Sequence, residues 1–287
     1  MKAVLVPLAE RIGRLALRRR GVGARWVQTP HGRLHVYDAS GRGKLPPIVL
    51  LHGLGSASTP FGPLLARLRP HARRVIAPDL LGHGFSDEHA HLTPEVLFDS
   101  VSNAIEQVVD EPVVLVGNSL GGAVALNYAI SHPARVRALV LVSPAGAHSS
   151  AEEWDELKRT FSLGSRKEAR AFIDRLYHRP PWITHLIAHE LPSVMARRSV
   201  KDLVRGASNE HFVTPDELGA LQMPILFLWG ESERLLPDSH FDYFERHLPK
   251  HAVIDRPRGF GHCPHFDDPA ELARRITGFA REQATGT

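Results

Sequence analysis

The chain has 287 residues, of which 43% are hydrophobic and 23% charged, and it carries a formal net charge of +4. That composition excludes disordered and fibrous classes and leaves a globular chain long enough to bury a full core. Its one cysteine, Cys263, excludes an intrachain disulfide, and its positive excess gathers near the N-terminus rather than on a basic face, so no nucleic-acid partner is expected.

No apolar run approaches the length of a membrane span. Residues 1–24 read as a basic amphipathic helix, with Leu5, Leu8, Ile12 and Leu15 at helical spacing and Arg11, Arg14 and Arg18 on other faces. The cluster Arg18, Arg19, Arg20 follows the apolar stretch, the reverse of a signal peptide, and the expected location is cytoplasmic or membrane-peripheral. Two readings of the helix stand side by side. One is docking on an anionic membrane surface; the other is packing on the protein's own body or on a neighbouring subunit.

After the helix the pattern alternates. Residues 26–28 and 34–37 form a hairpin around His31-Gly32. Short apolar runs at 47–51, 74–77, 113–116, 138–142 and 225–229 read as strands buried on both faces, with a weaker one at 252–254. Helices are expected over 94–109 and 269–279. This rhythm predicts a mostly parallel sheet covered by helices on both sides. It breaks at 146–221, where helices over 151–161, 166–177 and 182–207 follow one another without a strand. The predicted organisation is therefore an N-terminal helix (1–24), an α/β core (25–145 and 222–287) and an all-helical cap (146–221).

The chemistry-bearing motif is Gly117-Asn118-Ser119-Leu120-Gly121, which leaves a Val/Leu-rich strand and opens a helix. This strand–turn–helix setting exposes a serine at the sheet's carboxyl end and aims helix N–H groups at a developing negative charge. A serine needs a base. Eighteen histidines make counting useless, but Gly261-His262 lies between the last strand and the last helix, with His265 as its rival. The carboxylate that would orient the imidazole follows the 225–229 strand, where Glu231 and Glu233 both qualify. No residue spacing suits a metal, there is no dinucleotide fingerprint, and no cofactor is expected.

From about 34 to 279 the chain resembles the α/β-hydrolase superfamily. The resemblance rests on His52-Gly53-Leu54-Gly55, on Asp79-Leu-Leu-Gly82-His-Gly84-Phe-Ser86, on the serine motif, on Trp229-Gly230-Glu-Ser-Glu233 with Pro237, and on Gly261-His262-Cys-Pro264. It implies an eight-stranded, mostly parallel sheet and a triad of Ser119, His262 and Glu233. Glu233 stands where the family usually has aspartate. The alternative acid position, in Ser143-Pro-Ala-Gly146, holds no carboxylate. It also implies an oxyanion hole of the Leu54 and Leu120 backbone N–H groups, with His52, Asp79, Gly82 and Gly84 in loop-shaping roles. The expected activity is hydrolysis of a medium-sized apolar ester by a carboxylesterase- or lipase-like serine hydrolase, with a loose similarity to monoacylglycerol lipases. Asn118 before the serine resembles carbon–carbon bond hydrolases of the meta-cleavage type, although Cys263 replaces their usual tryptophan. A non-catalytic ligand-binding protein on the same fold is the third reading.

Overall fold

The structure, a computed structural model, describes residues 3–285. Helix α1 (Leu5–Arg19) precedes an antiparallel hairpin of β1 (Gly23–Thr29) and β2 (Gly32–Ser40). Strands and helices then alternate: β3 (Ile48–Leu51), α2 (Gly62–Leu68), β4 (Arg74–Pro78), α3 (Pro94–Val108), β5 (Val113–Asn118), α4 (Leu120–Ser131) and β6 (Val136–Val142). Next come α5 (Ala151–Phe161), α6 (Arg166–Leu176), α7 (Trp182–Ile187), α8 (Leu191–Met195), α9 (Arg198–Gly206) and α10 (Pro215–Gly219). The chain closes with β7 (Ile225–Leu228), α11 (Asp238–His247), β8 (Val253–Asp255), α12 (Pro264–Asp267) and α13 (Pro269–Thr285).

The eight strands form one sheet in the order β1-β2-β4-β3-β5-β6-β7-β8. β2 runs antiparallel to β1 and β4; every other pair is parallel. The run of central strands explains itself: every residue of β3, β5 and β7 is buried, because helices cover both faces. β8, at the edge, is partly exposed and is the strand whose sequence signal is weakest. The expected mostly parallel, helix-flanked architecture is thus present.

The stretch between β6 and β7 holds helices and connecting loops without a strand, but its expected third helix, 182–207, is three. Pro192 lies at the start of α8, where it can supply no N–H to a continuing helix. Arg197 then takes an extended conformation, ψ 142°, ahead of α9. Four helices, α2, α10, α11 and α12, carry no expectation from periodicity.

Helix α1 is docked by its N-terminus and one face. The backbone N–H groups of Val4, Leu5 and Val6 donate to the Glu190 carboxylate at 2.9, 2.7 and 2.8 Å. Glu190 is buried, on the turn between α7 and α8. A carboxylate there meets the positive end of the helix dipole. Leu17 is buried beneath α1, and a Cβ on Gly13 would come within 2.2 Å of the Thr59 methyl group, so this close approach requires glycine. The Arg14 guanidinium lies 4.8 Å from the Phe85 ring centroid.

Burial alone would raise the Glu190 pKa, but the three N–H groups outweigh it and hold the carboxyl below 4.5. A lowered carboxylate stabilises the fold above its unfolded value and loses that contribution as pH falls through its folded value. Glu190→Ala should therefore cost about 1–3 kcal/mol near neutral pH. The gap to wild type in thermal midpoint should close in acid, and trypsin should cut sooner around Arg18, Arg19 and Arg20. An unchanged midpoint and unchanged cleavage would show that Glu190 does not hold α1.

Candidate active site

Ser119 sits between β5 and α4 with φ 55° and ψ −120°, a conformation that costs a non-glycine residue about 1–3 kcal/mol. Its surroundings sustain the strain. Its N–H donates to Val142 O at 3.1 Å, and its carbonyl accepts from Gly122 at 2.8 Å and Ala145 at 2.9 Å. The flanking glycines are there for space. A Cβ on Gly117 would lie 2.2 Å from Gly121 O, and one on Gly121 would lie 2.2 Å from Leu51 O.

His262 and Glu233 meet as a buried pair. The Glu233 Oε2 accepts from the His262 Nδ1 at 2.8 Å, and both side chains are almost wholly enclosed. The second oxygen, Oε1, accepts from the N–H groups of Leu235 and Leu236 at 2.8 and 3.1 Å. Burial pushes the Glu233 pKa up, but the charge and hydrogen bond of His262 outweigh it and hold the group below 4.5. With Nδ1 engaged, Nε2 is the nitrogen left to act as a base. Glu231 instead points outward, 3.6 Å from the exposed Arg258 guanidinium.

The His262 loop is anchored from the serine side. The Asn118 amide donates to Val142 O at 3.0 Å and to His262 O at 2.9 Å, a role its sequence position did not reveal. His265, the sequence's rival base, is buried against Phe61, with ring centroids 4.8 Å apart. Burial lowers its pKa to about 3, so it is neutral at ordinary pH. The Cys263 N–H donates to Leu176 O at 3.0 Å, joining this loop to α6, and burial pushes its thiol pKa up.

Leu54 lies on the loop after β3 that crosses the serine: a Cβ on Gly53 would be 3.2 Å from Ser119 Cβ. His52 shapes that loop. Its Nδ1 bonds Gly53 O at 2.8 Å, and its Nε2 accepts from Leu80 N–H at 3.0 Å. Asp79 is fully buried and accepts from the N–H groups of Ser58 and Phe85 at 2.6 and 3.1 Å and from His35 Nδ1 at 3.0 Å. Both therefore shape loops. The N–H groups of Leu54 and Leu120 donate to no acceptor among the described residues.

Two cavities meet at Ser119. The larger, about 370 Å³, is lined by Ser119, His262, His265, Phe161, Phe172 and Met195, and by Val6 and Ala9 of α1. The smaller, about 90 Å³, is lined by Ser119, Leu120, Trp154, Leu157, Leu203 and Phe212, without His262. Leu54 borders both. Among the described residues no group of three or more His, Cys, Asp or Glu could hold a metal ion.

A family model described as the alpha/beta hydrolase family matches residues 48–275. An uncharacterised protein of Mycobacterium tuberculosis is 30% identical over 281 residues, covering 88% of this chain and 80% of that protein. A pimeloyl-[acyl-carrier protein] methyl ester esterase of Yersinia enterocolitica is 24% identical, covering 83% and 94%. Among solved structures, a carboxylesterase of Bacillus subtilis superposes with a TM-score of 0.76 at 22% identity, covering 96% of this chain and 98% of that one. With the family match spanning most of the sheet and every motif described above, the chain belongs to the alpha/beta hydrolase family.

Proposed function

We propose that this protein hydrolyses carboxylic esters through an acyl-enzyme on Ser119, with His262 as general base and Glu233 as its orienting carboxylate. The observation that carries the reading is the buried 2.8 Å pair of Glu233 and His262, whose imidazole lines the same cavity as a strained serine at a helix N-terminus. The esterase names of the Yersinia and Bacillus proteins support the same reaction class.

In this mechanism His262 Nε2 takes the hydroxyl proton as Ser119 Oγ attacks the ester carbonyl. The negative oxygen is held by the Leu54 and Leu120 N–H groups. The C–O bond to the alcohol breaks, and the alcohol leaves with the proton from His262. Water then attacks the acyl-enzyme, gives its proton to His262, and the carboxylic acid departs as Ser119 regains that proton.

The two cavities suggest a substrate. The leaving alcohol must reach His262 to be protonated, so it belongs in the larger cavity, which His262 lines. The acyl group then occupies the smaller, apolar one beside Leu120. We read the substrate as a medium-sized ester with a short acyl chain and a larger apolar alcohol. The Asn118 amide nitrogen is spent on two backbone carbonyls, so it gives carbon–carbon bond hydrolysis no separate support.

Ser119→Ala should lower kcat by about three to six powers of ten and abolish fluorophosphonate labelling. Activity that survives it would overturn the mechanism, and a folded wild type that takes no label would favour a binding protein. Glu233→Gln should cost about two to four powers of ten in kcat/KM. Full retention of activity would remove Glu233 from the triad.

Across a chain-length series of p-nitrophenyl esters, wild type should favour short acyl groups. Leu203→Ala, which enlarges the smaller cavity, should move the optimum outward by one or two methylenes, with about tenfold or more gained on the longer ester relative to the shorter. A profile that rises into long chains, with monoacylglycerols turned over, would put the acyl chain in the larger cavity instead. Faster turnover of a vinylogous diketone than of any ester would replace the reading with carbon–carbon bond hydrolysis.

A further inference from the structure

Helix α1 carries two apolar faces. The inner one, with Val6 and Leu17, packs on the body. The outer one consists of Val4, Leu5, Leu8, Ile12 and Leu15, each between 42% and 64% exposed. At helical spacing these five fall within an arc of about 100°, roughly opposite the packed face. Exposed large apolar side chains scattered singly need no explanation, but a continuous stripe of them does. Exposed Arg11, Arg18 and Arg19 lie in or beside the stripe, while Glu10, the helix's acidic residue, is turned inward and lines the larger cavity. The neighbouring α7, which leads into Glu190, exposes Trp182 and Leu186 one turn apart.

We propose that the outer face of α1 docks on an anionic phospholipid bilayer, lying in the headgroup plane and delivering apolar substrate to the cavity behind it. A helix of 15 residues is about 22 Å long and suits an in-plane position, and no described helix is long and apolar enough to cross a membrane. Arginines in and beside an apolar stripe match anionic headgroups above an acyl layer. A second copy of this chain fits less well. A parallel two-fold pairing through this stripe would bring Arg11, Arg18 and Arg19 of both copies together, and an antiparallel one would still set Arg11 of each copy near the middle of the contact. The helix also separates the two compartments the proposal joins. Val6, Ala9 and Glu10 line the cavity at Ser119, about one helix diameter from the outer face.

The test is co-sedimentation of the full chain with vesicles of equal parts phosphatidylcholine and phosphatidylglycerol, against vesicles of phosphatidylcholine alone. Wild type should bind the anionic vesicles and bind them more weakly as salt rises. The triple variant Leu8→Gln, Ile12→Gln, Leu15→Gln should bind at least roughly tenfold more weakly. The double variant Arg18→Gln, Arg19→Gln should lose roughly fivefold per arginine while keeping the apolar stripe. None of these residues lines the cavity, so turnover of a short soluble ester should be unchanged in both. The binding readout requires no turnover and stands apart from the ester reading. Wild type left in the supernatant, or a folded triple variant that binds like wild type, would overturn the proposal. So would a wild-type dimer on gel filtration that the triple variant splits, since the stripe would then be covered by a second copy.

Discussion

Three backbones meet at the turn from β5 into α4, and the room between them is too small for any side chain. Gly121 lies against the Leu51 carbonyl at the end of β3, and Gly117 lies against Gly121 itself. β3 and β5 are direct neighbours in the sheet, with Leu51 paired to Gly117, so sheet register and turn geometry are one constraint. Because the strands are this close, the loop leaving β3 passes over Ser119 and brings Leu54 to the cavities that Ser119 lines. The proposed nucleophile and both proposed oxyanion donors are thus fixed by backbone packing. That is why their arrangement does not depend on the identity of the Leu54 and Leu120 side chains.

The opposite half of the site is assembled by side chains reaching across the sheet. Asn118 ties the backbone of His262 to the end of β6. Asp267 accepts from Gly261 N–H at 2.8 Å and from His178 N–H at 2.9 Å, which joins the His262 loop to the helical insertion. The Cys263 bond to Leu176 adds a second tie. The helical segment between β6 and β7 therefore does more than line the cavity: the part that supplies Phe172 and Leu176 to its wall is bonded to the segment that presents the imidazole. Buried polar groups of this kind are expensive when half-satisfied, and here Glu233 and Asp79 have both oxygens occupied.

Much of this is legible in the sequence because it is local. The fully apolar runs mark the central strands, and Gly117 and Gly121 mark the turn. What is not legible depends on direction. Glu231 and Glu233 are two residues apart in one turn, and only the turn's path decides that one faces Arg258 and the other His262. Asn118, next to the serine, invites a chemical reading, whereas its amide is taken by backbone carbonyls that come from elsewhere in the chain. His265, the rival base in the sequence, is buried and neutral against Phe61, which only the packing reveals. The expected single helix over 182–207 overlooks Pro192, whose missing N–H outweighs favourable periodicity on both sides.

Helix α1 shows the same limit in its most consequential form. Periodicity identifies an apolar stripe but not which side of the helix packs, and here the smaller residues Val6, Ala9 and Gly13 face inward while the larger stripe faces out. The helix is held by Glu190, by Leu17 and by the Arg14 contact with Phe85, a short set of interactions for an element that forms part of a cavity wall. Local stability of such an element is lower than that of the sheet it rests on. Anything that engages the outer stripe would bear on the position of Val6 and Ala9, because both faces belong to one rigid helix. The carboxylate of Glu190, set against three N–H groups at its start, is the one charged contact in that set whose ionisation ties the wall of the cavity to pH.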